Sequence, residues 1–222
     1  DGYKDNYLEA FPILQKYGVP VSIFLTTDFI NTGRMWYHEI EKSISNTNVN
    51  TISLNGNDYS LDTKKQKNEF LNQLIKYFKS FDLEKGSVNE FVDDLCKRLN
   101  TQMNSINGLS LTWDEIKEMN KFNISFGSHC VNHIPCSVHS EEILKREIIE
   151  SKMIIDEMLN QNTIAFAYPY GEENDYDKKT VKFLKENGFT YALAVGEDFN
   201  NHFSNQYKLK RVSIRGDDSM ID

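Results

Sequence analysis

The sequence lacks the features that mark disulfide-rich, membrane-spanning or nucleic-acid-binding proteins. It has three cysteines, Cys96, Cys130 and Cys136, and no Cys-x-x-Cys pair, which argues against a disulfide framework or a cysteine zinc site. No apolar run is long enough for a transmembrane segment. The net charge is −8 without any basic cluster, so we do not expect nucleic acid as a partner.

The composition nevertheless suits a folded domain with a substantial core. The 222 residues are 39% hydrophobic and 12% aromatic, which is enough for one large domain or two small ones. The abundant Phe and Tyr residues fit either buried strands or a sugar-binding surface. The chain opens on Asp1-Gly2 without a methionine, and we expect it to be a fragment of a longer protein.

Helix and strand patterns alternate in two parts of the chain. Before Leu25, Asp5 or Asn6 is expected to cap a helix that ends at Gly18, and a strand follows. From Thr112 onward, further strands are predicted at 123–128, 163–167, 189–195 and 207–214, with helices between them. This alternation predicts an α/β fold with a parallel sheet, whose functional loops follow the carboxyl ends of its strands.

The segment from about residue 31 to residue 111 differs from this pattern, and we call it the insertion. It contains helical patterns, capping boxes such as Ser87–Glu90, and a hairpin signal at Asn55-Gly56. We interpret it as a mostly helical insertion or cap. Two roles remain open: the insertion either only covers hydrophobic surface or forms a wall of a substrate groove.

Two histidines follow the predicted strand at 123–128. His129 and His133 are four residues apart, a spacing that puts both imidazoles on one side of a helical turn. Neutral imidazole is the commonest protein metal ligand, so the pair predicts a metal site with a third ligand from elsewhere. Cys130 is expected to pack behind the loop. The other histidines, His38, His139 and His202, are expected at the surface.

Together with these histidines, Asp1-Gly2 and Pro169-Tyr170 complete a recognisable set of motifs. The set resembles the polysaccharide deacetylases of the NodB-homology type, whose motifs are T-F-D-D-G, H-[ST]-x-x-H and R-x-P-Y. The flanking residues look most like the branch that acts on poly-N-acetylglucosamine and other envelope glycans. In combination these motifs are fairly specific, whereas H-x-x-x-H alone is weak.

The resemblance implies one catalytic domain over residues 1–222, folded as a distorted (β/α) barrel whose first strand precedes Asp1. It implies a hydrolase that removes N-acetyl groups from amino sugars of a polysaccharide by attack of a metal-activated water on the amide carbonyl. One divalent metal ion, expected to be zinc, serves this chemistry. The expected partner is the carbohydrate substrate, and the expected location is extracytoplasmic or at the cell envelope.

The resemblance also assigns roles to individual residues. It implies metal ligation by Asp1, His129 and His133. It implies an oxyanion-stabilising backbone N–H at Tyr170, and substrate binding by Pro169, Tyr170 and Arg211. Trp36, Trp113, Tyr168 and Tyr170 are candidates for stacking on sugar rings, although each is by default a core or wall residue.

Three departures from the family pattern leave part of the machinery open. The general base is expected immediately upstream of Asp1 and is absent from the sequence. Ala167 stands where the family has Arg, and Leu209-Lys210-Arg211 stands where the family has Leu-x-His, so the general acid is unassigned; His202 is the nearest histidine. Two alternatives remain: hydrolysis of another C–N amide bond, as in a formyl-sugar, cyclic imide or ureide, and glycan binding without catalysis.

Overall fold

A five-stranded parallel sheet lies at the centre of the fold, as the alternating pattern predicts. The computed structural model describes residues 1–80, 87–101, 108–196 and 198–212. Its strands are β1 (Val21–Leu25), β2 (Thr51–Leu54), β3 (Asn57–Ser60), β4 (Ile124–Ser128), β5 (Ala165–Ala167), β6 (Tyr191–Val195) and β7 (Leu209–Arg211). The sheet has the order β1-β4-β5-β6-β7, and β2 and β3 form a separate antiparallel hairpin.

Helices connect the strands and surround the sheet. They are α1 (Phe11–Tyr17), α2 (Thr27–Thr32), α3 (Trp36–Asn46), α4 (Lys64–Lys79), α5 (Val88–Arg98), α6 (Trp113–Met119), α7 (Glu141–Leu144), α8 (Ser151–Leu159) and α9 (Lys178–Glu186). Asn6–Ala10 and Lys145–Glu150 are π-helical, so α7 and α8 form one continuous helical stretch. Within the described ranges no helix is long and apolar enough to span a membrane.

The local signals for helix ends are mostly correct. The predicted N-caps Ser87, Thr112 and Ser140 each accept a backbone hydrogen bond from the first turn of a helix, and Gly18 ends α1 with a φ of 63°. The predicted cap at Asp5 or Asn6 is wrong. Asp5 itself has helical backbone angles and its side chain caps nothing, while the Asn6 amide donates to the carbonyl of Tyr3.

The strands of the parallel sheet all end on the same side of the sheet. Leu25 is paired with Ser128, and Ser128 with Phe166, so β1, β4 and β5 end side by side. The predicted strand at 207–214 is correct at β7 only: Tyr207 and Lys208 lie in a 3₁₀ turn, and residues 213 and 214 lie outside the described residues. In the described part, β1 and β7 are the two edges of the sheet and do not pair, so the sheet is open there.

The insertion has an apolar cluster distinct from those that cover the sheet. Ile40 of α3, Leu74 of α4 and Leu95 of α5 are fully buried together, and Trp36 stacks on Phe78 within the same cluster. This cluster continues into residues that follow β4, since it includes Ile134 and Ile143, and Tyr170 packs against it. The insertion therefore packs against the loops that follow β4 and β5.

Candidate metal centre

The three predicted ligand residues meet at the carboxyl edge of the sheet. Nε2 of His129 lies 3.2 Å from Oδ1 of Asp1, and Nε2 of His133 lies 3.6 Å from the same oxygen. One potential ligand atom from each residue lies within 4.8 Å of the other two. Two imidazole nitrogens and a carboxylate oxygen converging on one point form a donor set that suits a divalent cation.

The segment 129–133, called the metal loop, is not a helical turn. Cys130 and His133 have φ angles of 66° and 55°, in the left-handed region that residues other than glycine seldom adopt. The helical-turn geometry considered for the two histidines is therefore wrong. The loop instead folds back on itself, and the two imidazoles meet edge to face with ring centroids 4.8 Å apart.

Main-chain hydrogen bonds tie the metal loop to the end of β1. The N–H of His129 donates to the carbonyl of Leu25 at 2.9 Å. The N–H groups of Thr27 and Asp28 donate to the carbonyls of Cys130 and Val131. The start of α2 therefore binds the loop mainly through backbone groups, with one further hydrogen bond from the Thr26 hydroxyl to the carbonyl of His129, and the loop continues the register of the β1–β4 pair.

A buried carboxylate supports the metal loop from the other side. Glu147, in the π-helical stretch before α8, is 4% exposed. Its Oε2 accepts the N–H of Val131 at 3.1 Å and the N–H of Asn132 at 2.9 Å, and its Oε1 accepts the Asn132 amide at 2.7 Å. Burial raises the pKa of Glu147, while these three donors favour its charged form. The carboxylate thus satisfies backbone donors that the irregular loop leaves without secondary-structure partners.

The carbonyl of Ala167 orients His129. Nδ1 of His129 lies 2.6 Å from this carbonyl oxygen, which can only accept, so Nδ1 carries the proton and Nε2 faces Asp1 with a free lone pair. Burial is the main cause that holds the pKa values of His129 and His133 well below their ordinary range. Both imidazoles are therefore neutral at physiological pH, which is the form that binds a metal ion.

The backbone on either side of Gly2 places Asp1. The carbonyl of Asp1 accepts the N–H of Thr26, and the carbonyl of Gly2 accepts the N–H of Leu111. Gly2 has a φ of 96°, and a Cβ on it would lie 2.5 Å from Cδ1 of Ile30. A side chain at this position would therefore strain the backbone next to Asp1 and displace the end of the Ile30 side chain.

Tyr170 lies in a strained three-residue turn beside His133. Its φ is 62°, and the N–H of Gly171 donates to the carbonyl of Pro169 at 2.7 Å, as in a γ-turn of positive φ. The tyrosine ring meets the ring of His133 edge to face at 5.0 Å. Glycine is required at position 171 because the backbone of Val195 lies close to it. A Cβ there would lie 2.9 Å from the backbone nitrogen of Val195.

A family model described as polysaccharide deacetylase matches residues 1–192. The chain belongs to the polysaccharide deacetylase family. The match spans β1, β4, β5 and both histidines of the metal loop. It stops before β7 and Arg211, where the sequence also departs from the family pattern.

Relatives of this deacetylase-family chain are similar along nearly its full length. It is 22% identical over 214 residues to YxkH of Bacillus subtilis, named as a polysaccharide deacetylase, covering 96% of this chain and 49% of that protein. It is 24% identical over 216 residues to the poly-beta-1,6-N-acetyl-D-glucosamine N-deacetylase of Staphylococcus epidermidis, covering 95% and 51%. The chain thus spans about half the length of these curated relatives.

The fold is also that of a solved deacetylase structure. The chain superposes on the Streptococcus pyogenes deacetylase PplD, determined in complex with acetate, with a TM-score of 0.60 at 20% identity. The superposition covers 96% of this chain and 61% of PplD. The predicted α/β fold of the NodB-homology type is confirmed.

The remaining predicted substrate-binding and sugar-stacking residues of this deacetylase-family chain differ in their burial and contacts. Arg211 ends β7 half-buried, and its Nε has no hydrogen-bond partner among the described residues. Pro169 is buried directly before Tyr170. Trp36 and Tyr168 are core residues, 5% and 0% exposed, which leaves neither ring accessible for stacking on a sugar. Trp113, the first residue of α6, is partly buried, and its indole N–H donates to Asn31.

The surface prediction for the other histidines is correct only in part. His202 is exposed in the loop between β6 and β7. His38 is partly buried and shares a hydrogen bond with the Tyr3 hydroxyl. The prediction for His139 is wrong, because this residue is only 4% exposed. Its carbonyl accepts a hydrogen bond from the ammonium group of Lys179 in α9, a helix that packs near the loop before α7. Cys130 is fully buried, as predicted.

Sequence analysis missed Glu147. Its signal is visible afterwards, because Glu147 interrupts the apolar face formed by Ile143, Leu144 and Ile148. A charged residue at a core-facing position of an amphipathic helix needs a buried partner. The sequence does not say which partner, since the two backbone donors belong to a loop fifteen and sixteen residues away.

Proposed function

We propose that this chain is the catalytic domain of a metal-dependent carbohydrate N-deacetylase that acts on N-acetylated amino sugars of an envelope polysaccharide. The observation that carries the proposal is the convergence of Asp1, His129 and His133 beside the strained turn at Tyr170. Family membership supports the reaction class. The similarity to a poly-N-acetylglucosamine deacetylase favours a glucosamine polymer as the substrate.

The donor set fits one divalent cation, and we propose zinc. Two neutral imidazoles and one carboxylate are ligands that zinc prefers, and three protein ligands leave a coordination position open. When bound, the cation supplies Lewis-acid chemistry, which activates water and polarises the amide carbonyl. Asp1, His129 and His133 hold it, while the Ala167 carbonyl keeps the proton of His129 on Nδ1.

The turn at Tyr170 and the end of β7 are proposed to act on the substrate. The internal hydrogen bond of this turn uses the N–H of Gly171, and we assign the N–H of Tyr170 to the oxygen that becomes negative during attack on the amide. We assign the guanidinium of Arg211, whose Nε is unpartnered among the described residues, to an oxygen of the substrate. Pro169 shapes the turn. The general base belongs to the position immediately before Asp1, and the general acid is not assigned.

The test is acetate release by the full-length protein. N-acetylglucosamine oligomers are incubated with the protein as purified, after chelation, and after zinc is restored. The proposal expects acetate release that the chelator abolishes and zinc restores. Formate or a ring-opened acid as the product would move the protein to another class of C–N hydrolase. Saturable sugar binding without any turnover, with one metal bound per chain, would instead support a non-catalytic glycan-binding domain.

The proposed location is extracytoplasmic or at the cell envelope, where such polymers lie. Fractionation of cells that express the full-length protein checks this. Recovery of the protein exclusively with the cytoplasmic fraction would contradict the proposal.

A further inference from the structure

The insertion contacts the loops around the metal centre through the side chain of Lys79. Lys79 lies in the last turn of α4, and its Nζ lies 4.2 Å from the centroid of the Tyr170 ring. The same Nζ lies 3.2 Å from Oδ1 of Asp175 and 3.7 Å from Oε2 of Glu172. An ammonium group over an aromatic face is attracted by the negative face of the ring. Lys79 thus contacts the turn at Tyr170 and the residues that follow it.

Asp175, the carboxylate nearest to Lys79, connects the two loops of the site. Its side chain is 5% exposed, and its Oδ2 accepts the N–H of Glu172 at 3.0 Å. Its main-chain carbonyl accepts the N–H groups of Cys136 and Ser137, which follow the metal loop. A buried carboxylate needs a compensating charge, and among the described residues Lys79 is the cation paired with it. The lysine therefore stabilises the junction between the loops after β4 and β5.

The Tyr170 ring depends on contacts to its faces and edges, because its hydroxyl provides none. The hydroxyl is buried and has no hydrogen-bond partner in the described part of the chain. The ring is instead held against His133 and under the ammonium of Lys79. A residue other than glycine keeps a left-handed φ only when its surroundings fix it there.

We propose that Lys79 is a positioning residue, which holds the Tyr170 turn so that its N–H points at the oxyanion of the reaction. This inference rests on the proposed deacetylase function and adds a defined role for the insertion. Of the two roles left open by the sequence, it favours the wall of the active site over a simple cover. Lys79 acts through Tyr170 and does not itself bind the substrate.

Three variants test the inference. Lys79→Met keeps the aliphatic stem and removes the charge. Lys79→Arg keeps the charge, and Lys65→Met is the matched control in the same helix, where Lys65 forms an exposed pair with Glu69. Loss of a precisely placed donor reduces kcat by about 100-fold to 1,000-fold, and a displaced donor is expected to lose about 10-fold to 100-fold. We therefore expect Lys79→Met to lose about 10-fold to 100-fold in kcat with little change in KM or bound zinc.

The outcomes separate positioning from other roles. Lys79→Arg is expected to recover most of kcat, and Lys65→Met to match the wild type. A raised KM with unchanged kcat would show direct substrate binding and overturn the inference. Equal losses in Lys79→Met and Lys79→Arg would also overturn it. In a Tyr170→Leu background, Lys79→Met should have little further effect on kcat, whereas additive losses would show that the lysine acts elsewhere.

A second readout is independent of activity. Selective labelling of the tyrosine nitrogens gives one amide resonance for each tyrosine, including the 11 of this chain, and Tyr170→Leu identifies the signal of Tyr170. Lys79→Met should shift the Tyr170 amide, and Lys65→Met should leave it in place. If wild-type protein releases no acetate, the proposed function fails, but the shift still reports whether Lys79 sets the turn. An unmoved Tyr170 amide in Lys79→Met would overturn the inference even in an active deacetylase.

Discussion

The insertion and the site loops differ in the types of residue that adopt left-handed backbone angles. Within the described insertion, positive φ angles fall on three glycines and on Asn55 and Asn100, which are residue types that tolerate them in turns and at helix ends. In the site loops they fall not only on Gly171 but also on Cys130, His133 and Tyr170, residue types that seldom adopt that conformation. The insertion is thus consistent with its local sequence, while the site loops are held in place by distant parts of the chain.

The difference shows where this fold stores strain. A residue other than glycine in a left-handed or similarly rare conformation costs on the order of 1–3 kcal/mol and persists only when its surroundings over-determine it. Around the metal loop these surroundings are the end of β1, the start of α2 and Glu147. Changes in the insertion away from Lys79 should therefore reduce stability, whereas changes around the site loops should reduce metal binding and activity.

The largest expected effect comes from His129→Ala. This variant removes a proposed metal ligand, the imidazole that the Ala167 carbonyl orients, so zinc should no longer be retained and acetate release should fall to background. Metal content by elemental analysis and acetate release measure this. His202→Ala, at an exposed histidine, is the matched control and should retain one metal per chain. Full zinc content in His129→Ala would show that the ion is held elsewhere.

The second effect tests the support of the metal loop directly. Glu147→Gln keeps the shape of the side chain but turns one acceptor into a donor facing Asn132 or the backbone N–H groups of the loop. Disturbing the residues that orient metal ligands typically lowers metal affinity by about 10-fold to 100-fold, and we expect a loss in this range. Zinc competition titration measures it.

The control for this variant lies three residues further along the same helical stretch. Glu150→Gln changes an exposed carboxylate and should bind zinc like the wild type. Unchanged zinc affinity in Glu147→Gln would remove the contrast between the two regions, because the strained loop would then hold its shape without the buried carboxylate.

The smallest effect belongs to the insertion. Thr63 caps α4 in a reciprocal capping box with Gln66, and Thr63→Ala should lower the free energy of unfolding by about 1 kcal/mol. Zinc affinity should not change, because the cap lies at the opposite end of α4 from Lys79. Urea denaturation and zinc titration measure the two quantities, with Thr63→Ser as the variant that keeps the cap. A weaker zinc site in Thr63→Ala would show that the two regions are coupled.

The same contrast explains how far the sequence could predict the structure. The capping boxes at Ser87 and Thr112 and the Asn55-Gly56 turn are local signals, and the structure confirms them. Asp1, His129 and His133 could be grouped because a family motif links them. Glu147 and Lys79 could not, since each acts on residues that are distant in sequence, through contacts that exist only in the folded chain. The burial of His139 was missed for the same reason.

The hydrogen bond from His129 to Ala167 has an evolutionary consequence. Its acceptor is a main-chain carbonyl, which every amino acid brings to position 167. The orientation of this proposed metal ligand is therefore inherited with the strand and does not depend on which residue occupies position 167. A lineage could exchange the arginine usual in the family for alanine at this position, and the histidine beside it would keep its proton on the same nitrogen. Selection can thus revise the side-chain chemistry around the metal centre without first dismantling its ligand geometry.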